Sequence, residues 1–374
     1  MRVIVSGYLG FGNAGDEAAL AGIIVGMREA AAEVDFTVLS GNPAATARTH
    51  GVAAIGRLDF RSLNRALAGA HLLISGGGNL FQDATSARSC LYYLAVIGRA
   101  AKARVPVMVL GQGIGPLRRR WLRGLVRRYL HRVSGIAVRD SESARELERM
   151  GIQTAVRVAG DLSLAMPLPG DEQLAEAWRE LGVSDAAPML AIAPRTWRVR
   201  GLSGEFSAGL ASAIKRAAAQ LQPPARIVCF PMQRPQDEAA CASLAQSTDG
   251  ITAREERPPA VLAGMIGGAR AVVGMRLHAL IFAAMGGAPP VAVSYDPKVQ
   301  AFMADIGLMA AAEVGELDEG RLAAAIVEAW NADDAAREAL RRTMGERRES
   351  VRDALRWAAE VARKPEATGP LRSP

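Results

Sequence analysis

Short runs of apolar residues alternate along this chain with longer segments in which apolar positions recur at helical spacing. The first run covers residues 2–6, and a helix is predicted to follow over residues 17–32. In the second half of the chain, the apolar runs cover residues 189–193, 226–230, 250–252, 271–273 and 290–293. Buried-type strands that alternate with helices in this way predict α/β domains, each built on a parallel sheet.

Interruptions of this pattern predict the domain boundaries. A segment that contains proline and glycine, at residues 167–170, separates the two alternating sets, so we expect one domain over residues 1–165 and a second over 166–362. With 374 residues, the chain is long enough for two domains of ordinary size. Residues 363–374 are rich in proline and polar residues, and we predict that they form a disordered tail.

Composition narrows the classes of partner. The formal net charge of +7 favours anionic partners: phosphates, nucleic acids or an acidic membrane surface. No nucleic-acid-binding motif accompanies this charge, so no nucleic-acid partner is predicted. The three cysteines form neither a CxxC pair nor a zinc-binding spacing, which predicts no metal site and a reduced, cytoplasmic protein. Without an apolar run of about 18 residues, we expect it to be at most peripheral to the inner face of the plasma membrane.

A glycine-rich loop follows the first predicted strand. It reads GYLGFGNAGDEA over residues 7–18, with Asn13 and Asp16 as its polar side chains. A Gly-x-Gly-x-x-Gly match begins at Gly10, which leaves a nicotinamide enzyme open as an alternative. Alone, however, this match is a weak signal. We predict no bound cofactor and treat Asn13 and Asp16 as candidate substrate ligands.

Two further loops follow predicted strands of the first half. One carries Gly76, Gly77 and Gly78 before Asn79, and consecutive glycines let a ligand approach exposed backbone N–H groups. The other offers Gln112 as a neutral side chain that can form hydrogen bonds. These residues are candidate substrate ligands, and the alternative for the three glycines is a tight strand–helix turn.

Five cations follow predicted strands: Arg139, Arg195, Arg234, Arg276 and Lys298. Ligands bind at this edge of an open parallel sheet, so the five predict a cleft between the halves that binds a multiply charged anion. For Arg139, a surface ion pair with Asp140 stays open as an alternative. Trp197, close to Arg195 in the chain, is expected to stack on a sugar or to shape the pocket.

Arg276 and His278 lie where an apolar helix is predicted to begin, over about residues 276–285. A helix N-terminus offers free N–H groups and partial positive charge, so this position suits an anion. We interpret it as part of an anionic-substrate site. Two simpler alternatives stay open: a buried His278 that is hydrogen-bonded to a backbone carbonyl, and an Arg276 held in a structural ion pair.

Residues 117–133 form the most basic segment of the chain, with seven arginines and no acidic residue. Apolar residues, among them Trp121 and Tyr129, recur there at helical spacing, which predicts a basic amphipathic helix. Such a helix either packs on the sheet with a solvated basic face or docks on anionic lipid headgroups with Trp121 and Tyr129 at the interface.

Together, these loops resemble the polysaccharide pyruvyl transferase family, and within it the bacterial cell-wall polymer enzymes of the CsaB type. The resemblance covers most of the chain, from residue 7 to residue 298. The matching segments, in family order, are GNAGDEA, SGGGNLFQD, GQGIGPL, AVRDSES, GDLSL, APRTW, GMRLHALIFA and YDPK.

The resemblance implies two Rossmann-like domains that face each other across a cleft, as in GT-B glycosyltransferases. It also implies an enzyme that transfers the enolpyruvyl-derived group of phosphoenolpyruvate to a sugar, releasing phosphate and leaving a pyruvate ketal. The implied acceptor is an N-acetylmannosamine unit on a lipid-diphosphate-linked precursor of a cell-wall polymer.

The resemblance further implies which residues act on these substrates. Arg139, Arg276 and Lys298 would hold the carboxylate and phosphate of phosphoenolpyruvate. His278 would be the acid–base group, because histidine can give and take protons near neutral pH, and Arg139 is its expected catalytic companion. Asp16 would assist or bind the acceptor.

Two rival functions fit the same pattern. A GT-B glycosyltransferase would use these cations to hold the diphosphate of a nucleotide sugar. A non-catalytic protein that binds anions or glycans would keep the fold without turnover, since fold alone does not fix function.

Overall fold

The computed structural model of the chain describes residues 1–84, 86–183, 188–196 and 203–363. Trp197 and residues 364–374 of the predicted tail lie outside these ranges. Within them, the chain forms two α/β units, each built around a parallel sheet. The predicted fold class, two Rossmann-like parallel-sheet domains, is confirmed.

The first unit contains seven strands: β1 (Arg2–Ser6), β2 (Asp35–Ser40), β3 (Ala53–Gly56), β4 (Leu72–Gly76), β5 (Val107–Gln112), β6 (Gly135–Val138) and β7 (Val156–Val158). They form one parallel sheet in the order β3-β2-β1-β4-β5-β6-β7. Every residue of β4, β5 and β6 is buried, as expected for strands covered by helices on both faces. The strand order reverses between β1 and β4, which is where open α/β sheets bind ligands.

Consecutive strands of this sheet are connected by helices: α1 (Ala14–Ala30), α2 (Pro43–His50), α3 (Phe60–Leu67), α4 (Ala87–Lys102), α5 (Arg120–Leu130) and α6 (Ser141–Arg149). A 3-10 turn at Leu162–Ala165 follows β7. The basic helix predicted over residues 117–133 is therefore shorter, because only the residues of α5 are helical. Asp140 caps α6 by accepting the backbone N–H of Ser143 at 2.8 Å. The core gathers buried side chains of α4 and α5 on those of β4 to β6.

The second unit repeats the same architecture with six strands: β8 (Met189–Ala193), β9 (Arg226–Cys229), β10 (Ile251–Thr252), β11 (Ala271–Gly274), β12 (Pro290–Ser294) and β13 (Ala312–Glu313). They form a parallel sheet in the order β10-β9-β8-β11-β12-β13. Its strand order reverses between β8 and β11, the equivalent of the reversal between β1 and β4.

The helices of the second half of the chain are α7 (Asp171–Glu180), α8 (Ser203–Ala218), α9 (Glu238–Ser247), α10 (Pro259–Gly267), α11 (Leu277–Gly286), α12 (Pro297–Asp305), α13 (Glu319–Trp330) and α14 (Asp334–Arg363). α10 and α11 are apolar around most of their circumference and almost wholly buried. Their backbones approach closely: a Cβ atom built on Gly267 would lie 2.9 Å from the carbonyl oxygen of Phe282 and 3.0 Å from the Cα of Gly286.

The two compact units of the chain are not continuous in sequence, because each contains a segment from another part of the chain. The first unit comprises residues 1–11, 16–167 and the chain from Arg347 onward, and the second comprises residues 12–15 and 168–346. The last helix, which the sequence-based boundary at residue 362 gives to the second domain, thus contributes residues 347–363 to the first unit. Packing explains this: a Cβ on Gly26 would overlap Leu355, and one on Gly135 would overlap Trp357.

No helix among the described residues has both the length and the apolar character needed to cross a membrane.

Candidate active site

The carboxyl edge of the second sheet carries three of the predicted cations. Arg195 follows β8, Arg276 follows β11, and Lys298 follows β12 as the second residue of α12. Since β8, β11 and β12 are neighbours in the sheet, the three residues lie along one edge, next to the reversal of strand order. This is the ligand-binding edge of an open parallel sheet.

Two of these cations contact one aromatic ring. The guanidinium carbon of Arg195 lies 4.4 Å from the ring centroid of Tyr295, and Nζ of Lys298 lies 5.9 Å from it. Such cation–π contacts contribute about 0.5–1 kcal/mol at exposed sites and more where water is excluded. The ring of Tyr295 thereby brings two positive charges together. Sequence reasoning assigned no role to Tyr295, although it is part of the YDPK segment.

The two cations differ in how far they are neutralised. Lys298 forms an ion pair with Asp296, with Nζ 3.3 Å from Oδ2, and both side chains are partly exposed to solvent. Such pairs are weak. Arg195 has no carboxylate within ion-pair distance among the residues that the structure describes, so its charge is available to a ligand.

Arg276 is held by a two-point ion pair with Asp237. Its Nε and Nη2 donate to Oδ2 and Oδ1 of Asp237 at 2.9 and 2.6 Å. Asp237 is fully buried and also accepts the backbone N–H of Gln233. This is the structural ion pair that the sequence left open. Nη1 of Arg276 forms no hydrogen bond with the residues that the structure describes, so the group can still donate to an anion through this nitrogen.

Arg234, the fifth predicted cation, is occupied by the protein itself. Its Nη1 contacts Glu238 at 2.7 Å, and its Nη2 donates to the carbonyl oxygens of Ala253 and Glu255 at 2.6 and 3.1 Å. These contacts tie the loop after β9 to the segment after β10. Arg234 therefore holds loops together and is a poor candidate for an anion ligand.

His278 lies in the first turn of α11, and its imidazole packs on the backbone of Gly15. A Cβ atom built on Gly15 would overlap Nδ1 and Cγ of His278, so glycine is the residue that fits there. The ring centroid of Phe282, one helical turn further along, lies 6.2 Å from that of the imidazole. Gly15 and Phe282 thus restrict the positions that the His278 ring can occupy.

The segment that carries Gly15 belongs to the second unit. Asn13 forms an antiparallel bridge with Gln233, and the N–H of Ala14 donates to the carbonyl oxygen of Met232 at 2.9 Å. Oδ1 of Asn13 accepts the N–H of Gly15 at 3.1 Å. Asn13 therefore fixes the start of α1, and through Gly15 it fixes the surface on which the histidine packs.

In the first unit, the glycine-rich loop after β4 approaches two other segments. Gly77 and Gly78 adopt φ angles of +72° and +69°, the left-handed region that favours glycine. A Cβ on Gly78 would lie 3.1 Å from Oδ1 of Asp16, and the carbonyl oxygen of Gly78 accepts the N–H of Gly113 at 2.9 Å. The first turn of α1 and the loop after β5 thus meet at Gly78.

Arg139 and Asn79 flank Gly113. A Cβ on Gly113 would lie 2.8 Å from Nη2 of Arg139 and 3.5 Å from Cγ of Asn79. Nδ2 of Asn79 donates to the carbonyl oxygen of Gly115 at 2.8 Å, whereas its buried Oδ1 has no hydrogen-bond partner among the described residues. Nε of Arg139 lies 3.3 Å from Asp140, and this pair is buried instead of lying at the surface.

Gln112 and Gly76 end strands instead of lying in loops. Gln112 is the last residue of β5 and is fully buried, and its Nε2 donates to Oγ of Ser75 at 2.9 Å. Gly76 is the last residue of β4. Both lie at the carboxyl edge of the first sheet, inside the strand layer.

Comparison with known families decides what kind of protein carries this geometry. Residues 13–297, most of the chain, match the polysaccharide pyruvyl transferase family. The chain belongs to this family. It is therefore a transferase, and the family resemblance of its loops is confirmed. No curated protein matches the sequence significantly.

Solved structures similar to this pyruvyl transferase share its architecture. An S. aureus structure described as MnaA with UDP has a TM-score of 0.63 at 12% identity, covering 96% of this chain and 93% of that one. The UDP-GlcNAc 2-epimerase of Neisseria meningitidis, bound to UDP-GlcNAc, has a TM-score of 0.61 at 11% identity, with 96% and 99% covered. A glycosyltransferase of Rickettsia africae has a TM-score of 0.59 at 11% identity, with 97% and 98% covered. These likenesses show the fold alone, which is GT-B-like.

The predicted site residues of the pyruvyl transferase fall into two sets. The set of the second unit is Asn13, Arg195, Arg276, His278 and Lys298. The set of the first unit is Asp16, Gly76, Gly77, Gly78, Asn79, Gln112 and Arg139. Their roles as ligands and catalytic groups stay predictions, as does the absence of a bound cofactor. Sequence reasoning missed Asp237 and Tyr295, since a single aspartate or tyrosine in a loop carries no periodic signal.

Proposed function

We propose that this polysaccharide pyruvyl transferase takes its pyruvyl group from phosphoenolpyruvate and forms a cyclic ketal on a sugar, with release of phosphate. The observation that supports this most directly is the pair of cations, Arg195 and Lys298, on the ring of Tyr295. Phosphoenolpyruvate carries a phosphate and a carboxylate, so its binding requires several positive charges held close together.

The second-unit set supplies these charges in positions that are fixed before the donor arrives. Arg276 is oriented by the buried Asp237, and Arg195 by the ring of Tyr295. Because these side chains lose little freedom on binding, less of the interaction energy is spent on ordering them. Backbone N–H groups at the start of α11 add donors for an anion.

His278 serves in this proposal as the general acid and base. It protonates the methylene carbon of phosphoenolpyruvate, which gives an oxocarbenium-like centre at the neighbouring carbon. A sugar hydroxyl adds to this centre and loses its proton, and phosphate then leaves with the electrons of its C–O bond. A second hydroxyl closes the ketal ring. Of the two hydroxyl protons, one replaces the proton that His278 gave to the methylene carbon, and the other leaves with phosphate.

The first-unit set provides further anion-binding and polar groups. We assign Arg139 to a charged substrate group, because its planar guanidinium suits carboxylate and phosphate oxygens. The buried Oδ1 of Asn79 is an acceptor that a sugar hydroxyl satisfies. As acceptor we propose N-acetylmannosamine on a lipid-diphosphate-linked precursor of a cell-wall polymer, following the CsaB-type resemblance of the loops.

Donor-induced thermal stabilisation tests this proposal. A ligand that binds only the folded state at about 100 times its Kd stabilises it by about 2.7 kcal/mol. We expect phosphoenolpyruvate to raise the Tm of the wild type, and UDP-N-acetylglucosamine to leave it unchanged. Stabilisation by the nucleotide sugar, with none by phosphoenolpyruvate, would contradict the proposal and favour the glycosyltransferase alternative.

A further inference from the structure

An exposed, strongly basic surface lies on the outward side of α5 and on the residues just before and after this helix. We call it the α5 surface and define it by six exposed residues: Arg118, Arg120, Trp121, Arg127, Arg128 and Arg132. The reaction proposed above uses none of them. The sequence left two explanations open for this region, a solvated face and a lipid-docking face.

Packing of α5 fixes which side chains face outward. Leu122, Val126 and Leu130, spaced four residues apart, are buried and form part of the core. Successive residues of a helix are rotated by about 100°, so Arg128 falls on the side opposite to this apolar stripe. Arg120 and Arg127 lie beside the stripe and are exposed. The basic side chains are therefore presented outward by a helix that is anchored through its other face.

A buried carboxylate holds the segment that leads into α5. The two oxygens of Asp83 accept the backbone N–H groups of Arg118 and Arg119 at 2.9 and 2.8 Å. Burial raises the pKa of Asp83, but these N–H donors and the charges of both arginines outweigh it and hold the pKa below its ordinary value. The segment is thus tied in place by an ionised group, and Arg118 projects from a fixed backbone.

Most of the positive charge in this region is uncompensated. Two arginines of the segment are paired: Nη1 of Arg119 lies 3.9 Å from Oδ2 of Asp83, and Nη1 of Arg123 lies 3.3 Å from Oε1 of Glu146. In the described part of the chain, none of the five arginines of the α5 surface has a carboxylate within ion-pair distance. Like charges concentrated in this way repel each other, and an anionic surface relieves that repulsion.

Trp121 provides an apolar element within this charge. Its side chain is 56% exposed, which is unusual for an indole, and Arg128 lies two turns further along the same side of α5. Tyr129 differs, because its ring packs on Gly98 of α4: a Cβ there would lie 3.0 Å from Cε1 of Tyr129. Trp121 is therefore the more exposed aromatic residue of α5, whereas Tyr129 is half-buried and its participation stays a prediction.

We propose that the α5 surface docks on a membrane of anionic lipids, with Trp121 at the level of the headgroups and the arginines on the phosphates. An exposed indole among arginines suits the boundary between headgroups and acyl chains. A surface that binds single-stranded nucleic acid would present several aromatic side chains for stacking on bases, and this one presents a single indole. The docking is independent of which sugar the enzyme modifies.

Vesicle co-sedimentation of the full chain tests this docking. We expect the wild type to bind vesicles of phosphatidylcholine and phosphatidylglycerol in equal parts at low salt. It should not bind vesicles of phosphatidylcholine alone, and salt should release it because screening weakens the attraction. The triple variant Arg120→Gln/Arg127→Gln/Arg128→Gln should lower the partition coefficient by roughly two orders of magnitude.

A matched triple variant separates local charge from net charge. Arg48→Gln/Arg61→Gln/Arg65→Gln removes the same charge from exposed positions on α2 and α3, and we expect it to bind within about threefold of the wild type. Trp121→Ala should weaken binding about tenfold, whereas Leu58→Ala, which removes another exposed apolar side chain, should not. Circular dichroism confirms that each variant is folded.

Three results would overturn the docking. The first is a wild type that stays in the supernatant with acidic vesicles at low salt. The second is an equal loss of binding in both triple variants, since net charge would then explain it. The third is tight binding to a single-stranded RNA that displaces the acidic vesicles at equal phosphate concentration, which would assign the surface to nucleic acid.

Discussion

The imidazole of His278 packs directly on the backbone of Gly15, and the room for a side chain at position 15 is filled by that ring. Gly15 belongs to a segment that Asn13 and Gln233 join to the second unit. The proposed acid–base group is thus positioned by a glycine far away in sequence, and this relationship gives the glycine-rich loop a role in the site that requires no bound cofactor.

Gly15→Ala should therefore act as an active-site substitution. The added Cβ displaces the imidazole from its position, and we expect kcat to fall about 100-fold, the lower range of what general acid–base catalysis contributes. Steady-state kinetics measures this loss, and imidazole NMR signals report the altered environment of His278.

A helical glycine in open space is the control. Gly345 in α14 has no heavy atom within 4 Å of its Cβ position, so Gly345→Ala should keep kcat and raise the stability by up to about 1 kcal/mol through helix propensity. Unchanged turnover in Gly15→Ala would remove His278 from its proposed role.

Arg276→Gln should cost stability as well as affinity. It leaves Asp237 charged and fully buried without its partner, and breaking a buried pair on one side costs about 3–5 kcal/mol. The double variant Arg276→Gln/Asp237→Asn should lose less than the sum of the single variants. Urea denaturation measures these values, and a cost below about 1 kcal/mol for Arg276→Gln would show that the pair contributes little.

Arg195→Gln should separate binding from folding. Arg195 has no carboxylate partner among the described residues, so its loss should cost only the cation–π contact with Tyr295, about 0.5–1 kcal/mol of stability. The Kd for phosphoenolpyruvate should rise about 10- to 100-fold, the value of a hydrogen bond to a charged group. Calorimetric titration checks this, with Arg216→Gln on α8 as a control of equal charge change. Equal Kd values for both variants would exclude Arg195 from the donor site.

Stability should fall in alkaline solution because the three cysteines are buried and free. Burial raises the pKa of Cys90 and of Cys229 from 9.0 to about 12, and raises that of Cys241 as well. Above pH 9, the unfolded state loses thiol protons that the folded state keeps. Each thiol then lowers the free energy of unfolding by about 1.4 kcal/mol per pH unit up to its folded pKa.

Cysteine variants test this slope. Urea denaturation between pH 9 and pH 11, under reducing conditions, should show a shallower decline in Cys90→Ala/Cys229→Ala than in the wild type, whatever the stability of the variant at neutral pH. Identical slopes would mean that the thiols are not responsible.

Much of the fold was predictable because buried parallel strands are continuous apolar runs. The run predicted over residues 271–273 is β11, and the apolar segment after it is α11, whose start differs by one residue from the prediction. Cations at strand ends were predictable for the same reason: once the strands are known, the edge of the sheet is known.

Features that depend on tertiary contacts were not predictable. β3 is only partly buried and β13 has two residues, so neither shows the long apolar run of a fully buried strand. The amphipathic pattern of α14 shows that it packs, but not that its last part joins the first unit. Likewise, nothing in the sequence pairs Arg276 with Asp237 or places Gly15 under His278, because these residues meet only in the folded chain.

Product analysis in heavy water tests the central claim most directly. The protein is incubated with phosphoenolpyruvate and a synthetic N-acetylmannosamine-containing lipid-diphosphate disaccharide in D2O, and phosphate and saccharide masses are followed. We predict phosphate release together with a ketal whose methyl group carries one deuterium, because the methylene carbon takes its proton from an exchangeable acid. The same product should be missing with His278→Ala. Transfer of a sugar from UDP-N-acetylglucosamine, without ketal from phosphoenolpyruvate, would contradict the account.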